Sequence, residues 1–153
     1  MKVKHFLWIL PSLLFVSAIV YLLEQRIVYK RDDLKIIYGF LSRKPIIEND
    51  KLIIHLSTDV GNRKFFTDRA GFRVLQKEKI KKELSKGDFV KVGISKALIR
   101  NHKNNILLCL SSDRSTYISL QDYNQERRNT FRVIFYFLGG IVIIYLLTKL
   151  IKQ

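Results

Sequence analysis

Cysteine, proline and tryptophan are scarce in this 153-residue chain, with one, two and one residues respectively, and its seven glycines are scattered. The lone Cys109 cannot form an internal disulfide, so the chain is not a disulfide-stapled secreted peptide. Cys109 sits in the apolar run Ile106-Leu107-Leu108-Cys109-Leu110 and reads as a small buried hydrophobe. No glycine lies in a G-x-x-x-x-G-K frame, which excludes a phosphate loop of that type. Acidic residues are also few, 13 against 28 basic ones, giving a formal charge of +15. Hydrophobic residues at 48% and charged residues at 27% match ordinary globular usage and exclude a disordered tail.

Chemistry-bearing constellations are missing as well. His5, His55 and His102 do not stand near another His, Cys or acid at metal-ligand spacing. No G-x-S-x-G elbow occurs. The paired acids Asp32-Asp33 and Glu48-Asp50 fall at turn positions, where carboxylates serve the backbone. The reading assigns no catalytic residue, metal or cofactor, and takes the protein as a non-enzyme.

The charge is unevenly placed. Residues 24–132 hold all 13 acidic and 24 of the 28 basic side chains, a net +11. Outside them the only charged side chains are Lys2, Lys4, Lys149 and Lys152. Behind a short basic tail (residues 1–5), residues 6–23 read FLWILPSLLFVSAIVYLL, 18 positions without a charge. As a helix this run is about 27 Å long, close to a bilayer's hydrocarbon thickness. It lacks a small-x-small cleavage site, so it reads as an uncleaved signal anchor and first transmembrane helix. A second run, residues 131–151, contains VIFYFLGGIVIIYLL and reads as the second transmembrane helix. Ser17 and Ala18 in the first run, and Gly139 and Gly140 in the second, fall at similar depths and are candidates for close helix–helix packing.

Between the runs, residues 24–121 read as a β-rich juxtamembrane domain. Strand patterns occur at Leu34–Leu41, Leu52–Ser57, Arg63–Asp68 (continuing through Phe72–Leu75), Phe89–Ser95, Ile106–Ser111 and Thr116–Leu120. Glu78–Leu84 has the spacing of a short helix, with Ile80 and Leu84 inward. Gly39 marks a bend, and Asn101–Asn105 a hairpin tip. The fold class is therefore membrane α plus β: two transmembrane helices flanking a small, curled antiparallel barrel, OB-like or SH3-like, with one short helix. Asp122 is placed to cap a long helix over residues 122–151 that includes the second span.

The order span, β domain with LSKGDFVKVGIS, last strand TYISLQDYNQERR, second span resembles small two-pass bacterial membrane proteins that carry an OB-like domain between their spans. The resemblance covers most of the chain and implies no activity and no functional residues. Seven basic residues near the membrane on the domain side outnumber four on the tails, which by itself places the domain inside. The short basic start and the length of the intervening segment point the other way. The expectation is a bacterial inner-membrane protein with its β domain extracytoplasmic.

Arg63, Lys64, Phe66, Arg69, Arg73, Lys77, Lys81 and Lys82 form a candidate basic and aromatic surface. Solvated charges around core phenylalanines explain the same residues, since strand alternation buries one of every two neighbours. The expected partners are the lipid bilayer, a protein or second copy, and an anionic lipid or polymer; nucleic acid is disfavoured. The functional expectation is a β domain that binds a partner protein or polyanion beside the membrane, with a membrane-bound immunity protein against an envelope-acting toxin as the alternative.

Overall fold

The computed structural model describes residues 19, 20, 23, 28–99 and 105–151, with side chains except at 98, 99, 138, 141–147 and 149–151. The chain divides into two compact units, Met1–Val28 with Arg128–Gln153, and Tyr29–Arg127.

The unit Tyr29–Arg127 opens with a 3-10 turn at Arg31–Asp33 and then forms one curled sheet. Its strands are β1 (Leu34–Leu41), β2 (Ile46–Glu48), β3 (Lys51–Thr58), β4 (Gly61–Phe66), β5 (Phe89–Ser95), β6 (Cys109–Ser112) and β7 (Thr116–Ile118). The order is β2-β3-β1-β5-β6-β7, and β4 also pairs with β3. All these pairings are antiparallel. A parallel bridge joins Phe66 to Ile106, where the Phe66 N–H donates to the Asn105 carbonyl and the Leu107 N–H to the Phe66 carbonyl, both at 2.8 Å. β1 therefore pairs on both sides, and the far strands are drawn towards each other. The curled antiparallel sheet is consistent with an OB-like β domain.

Alternation decides which side is inside. Leu52, Ile54 and Leu56 of β3, and Val90, Val92 and Ile94 of β5, are buried together with Ile37 and Leu41 of β1. Tight curling needs small residues at two points. A Cβ on Gly39 would stand 2.5 Å from the Ser57 carbonyl oxygen, and one on Gly93 would overlap the Cys109 sulfur.

Three short helices follow the strands: α1 (Arg69–Arg73), α2 (Lys77–Glu83) and α3 (Lys96–Ile99). α2 buries Ile80, with Leu84 just past its end, as the sequence spacing predicts. α1 corrects the sequence reading, which continued a strand through Phe72–Leu75. The Asp68 carboxylate accepts the Gly71 N–H at 2.9 Å, and its carbonyl accepts the Phe72 N–H at 2.9 Å. This N-cap turns the chain into a helix and ends β4 at Phe66 rather than Asp68. The expected Ile106–Ser111 strand is also split, its first residues being spent on the parallel bridge. The predicted hairpin tip lies outside the described residues apart from Asn105.

The last element is α4 (Leu120–Ile151). Its cap is Ser119, not Asp122: the Ser119 hydroxyl accepts the Asp122 N–H at 3.0 Å, so Asp122 sits in the first turn. Among the described residues, no helix is long and apolar enough to cross a membrane. The first expected span lies outside the described residues apart from Ile19, Val20 and Leu23, which are helical. Ser17 and Ala18 lie outside them too. A Cβ at Gly139 or Gly140 would meet no described atom within 4 Å.

Candidate functional site

The outward side of the sheet, opposite the buried core, carries three large rings in solvent. Tyr38 and Phe40 alternate with buried residues along β1, and Phe89 opens β5. Their exposures are 54%, 56% and 37%. Phe40 pairs across the strands with Phe89, and Tyr38 with Lys91, so the sheet register gathers them. Tyr38 stacks on Phe89 with centroids 6.1 Å apart and planes 12° apart, and Phe40 meets Phe89 edge-on at 5.2 Å. Lys91 Nζ lies 5.6 Å from the Tyr38 ring centre. Single exposed apolar residues are ordinary; three rings in mutual contact on one open face are not.

Of the candidate basic and aromatic surface, Lys64 and Phe66 share this outward side, opposite His55 and Ile53 of β3. Burial lowers the His55 pKa, and the charges of Arg43 and Lys64 lower it further. Arg63 has the opposite strand parity to Lys64 and Phe66, and Phe65 is fully buried. The remaining candidates are distributed over the helices and several are already engaged. Arg73 bonds Glu126 at 2.7 Å, Lys77 sits 3.8 Å over the Phe72 ring, and Lys81 pairs with Glu78 at 3.1 Å. Arg69 is exposed on α1, and Lys82 borders a separate cleft. The sequence reading missed Tyr38, Phe40 and Phe89. The signal that could have found them is the alternation Tyr38-Gly39-Phe40-Leu41, whose rings fall on the side opposite Leu41.

The cleft, about 590 Å³ and open to solvent, lies between α2 and the β6–β7 turn. Tyr117 stands in it, its hydroxyl 3.2 Å from Ser112 Oγ and donating to Glu83 at 3.3 Å. Burial raises the Tyr117 pKa, which keeps the phenol protonated and acting as a donor. Acids (Glu83, Asp88, Asp113) and bases (Lys82, Arg114) both line it, so no single sign of charge dominates it. Among the described residues, no group of three or more His, Cys, Asp or Glu side chains could hold a metal ion.

The start and the end of this unit meet at Tyr29. The Asn124 side chain accepts the Tyr29 N–H at 3.0 Å and donates to the Tyr29 carbonyl at 2.8 Å. Arg127 lies over the Tyr29 ring at 5.0 Å, and Tyr123 packs against that ring at 6.1 Å. The buried Tyr123 hydroxyl donates to Asp68 at 2.6 Å, so one carboxylate caps α1 and anchors the base of α4.

No protein-family model matches this chain, and no curated protein matches it.

Proposed function

We propose that this chain is a non-enzymatic two-pass protein of the bacterial inner membrane, and that its OB-like β domain docks a partner beside the lipid. The exposed Tyr38–Phe89–Phe40 cluster carries the docking half of this reading. Three contacting rings in water offer apolar area that only a partner can remove from solvent.

The membrane half draws on the sequence, where two long uncharged runs flank the domain. It is supported by the double hydrogen bond between Asn124 and Tyr29, which holds the two ends of the domain side by side. Chain segments leaving from one point suit a domain that begins and ends at the same membrane face. The domain lies on the extracytoplasmic side, and both chain ends lie in the cytoplasm.

The test is fractionation and labelling of the full chain in cells. The protein stays in the membrane pellet through alkaline carbonate washing; release into the wash overturns the membrane assignment. With Cys109→Ser and Val60→Cys, the new thiol stands on a turn that is 79% exposed. An impermeant maleimide labels it in intact cells. Protection until lysis overturns the extracytoplasmic placement.

A further inference from the structure

The charge around the rings narrows the partner. Residues paired directly across an antiparallel sheet point to the same side, so the registers sort every strand position into inward or outward. Across the seven strands one outward position holds a carboxylate, Glu48 at the end of β2, where it stands opposite Lys51; the outward positions beside the rings on β1, β3, β4, β5 and β6 hold none. Lys91 and Lys64 are the basic side chains nearest the rings on that side by register, and Ser57 and Ser111 border them. The unit Tyr29–Arg127 as a whole holds 21 basic and 12 acidic residues, a net +9. An aromatic centre with a polar rim is the anatomy of a protein-recognition surface, and here the positions next to the rings lack acid.

Three other occupants fit less well. A second copy brings the same excess of positive charge to the same face, which sets like against like. A nucleic acid strand needs free ring faces for its bases. Phe89 is instead stacked by Tyr38 and met edge-on by Phe40, and Lys91 alone stands against these rings. Insertion into lipid headgroups needs side chains that stand clear of one another, whereas these rings pack together through Phe89.

Building on the docking role proposed above, we infer that this face receives an acidic polypeptide. The partner segment lays apolar side chains on Tyr38, Phe40 and Phe89 and sets carboxylates against Lys91 and Lys64. Contact with the rings supplies affinity, and the charges supply selection and rate of encounter.

The experiment uses the full chain in mild detergent and a random glutamate–tyrosine copolymer as probe. Polyglutamate, oligothymidylate and phosphatidylglycerol vesicles serve as comparison ligands. Joint Tyr38→Ser and Phe40→Ser substitution weakens copolymer binding about ten-fold or more, as loss of central aromatic contacts does. Polyglutamate binding, which needs charge alone, changes less than about two-fold. Lys91→Glu weakens copolymer binding and leaves the rings in place. All substituted residues are exposed, and an unchanged melting temperature verifies that each variant folds. Equal copolymer binding by the serine variant overturns the inference, as does a loss confined to oligothymidylate or to the vesicles. If the protein is retained in the membrane and keeps a native complex that ignores these substitutions, this assignment alone fails. If the protein washes out of the membrane, the proposed function fails first.

Discussion

Asn124 bonds both backbone groups of Tyr29: its amide oxygen accepts the N–H at 3.0 Å and its amide nitrogen donates to the carbonyl at 2.8 Å. The residues are 95 positions apart, so the contact closes nearly the whole domain. Tyr29 has no regular secondary structure of its own to satisfy these groups. A side chain carrying both a donor and an acceptor is therefore needed at position 124.

Asn124→Ala removes both bonds and leaves two backbone groups half-buried without partners. The expected cost is about 1–3 kcal/mol, seen as a melting temperature lowered by roughly 4–15 °C for a domain of this size. Hydrogen exchange speeds up first at residues 28–30, while the core strands hold their protection. Asn124→Asp retains the acceptor only and falls between the two.

Tyr123 gives a pH dependence. Burial raises its phenol pKa, and the hydrogen bond to Asp68 raises it further. The folded state thus favours the neutral phenol, while the unfolded chain loses this proton near the ordinary value of about 10. Stability is level in this respect below about pH 10 and declines above it, by about 1.4 kcal/mol per pH unit for one such group. Tyr117, also raised, adds in the same direction. Tyr123→Phe flattens the alkaline decline and lowers stability at neutral pH by about 1.5–3 kcal/mol, because a bond to a carboxylate is lost. Denaturant titrations at pH 7, 10 and 11 separate the two effects.

The two close-packed glycines respond differently to repair. Gly39→Ala drives a methyl group against the Ser57 carbonyl, a backbone atom, whereas Gly93→Ala meets the Cys109 sulfur. Each costs about 1–3 kcal/mol through overpacking. Cys109→Ala in the same chain recovers a large part of the Gly93→Ala loss and nothing of the Gly39→Ala loss. A double-mutant cycle on thermal unfolding shows the coupling.

Arg73→Ala is expected to be mild. Its ion pair with Glu126 has an arginine side chain 48% exposed, so solvent screens the attraction. The loss is about 0.2–1 kcal/mol and fades with added salt, which a melting series over ionic strength reads directly.

Most of the sheet was legible because period-two burial is strong in it: Leu52-Ile54-Leu56 and Val90-Val92-Ile94 announce their strands and their inward sides. The Asn49-Asp50 turn was visible too, and both residues adopt positive φ, at 47° and 55°. The strand before it, Ile46–Glu48, was not, since three residues after a proline carry no period. Helix α1 was hidden by its apolar Phe72 and by Val74 and Leu75 just past its end, which look like strand residues until the Asp68 cap is weighed. The candidate surface was misdirected for a related reason. Basic and aromatic residues adjoin in sequence from Arg63 to Arg73, yet the fold buries Phe65 and Phe72 and divides the basic side chains between β4 and α1. The rings that do meet in solvent, Tyr38 with Phe89, lie half the domain apart in sequence and are joined only by the β1–β5 register.

Cys109, wedged against the Cα of Gly93 and half-hidden from solvent, has a consequence for handling the protein. Burial raises its thiol pKa, so the native side chain is a poor nucleophile. Opening of the structure around it removes that burial and speeds alkylation. The rate at which the wild-type protein takes up iodoacetamide thus reports local opening at Cys109, a clock the chain supplies without any engineered probe.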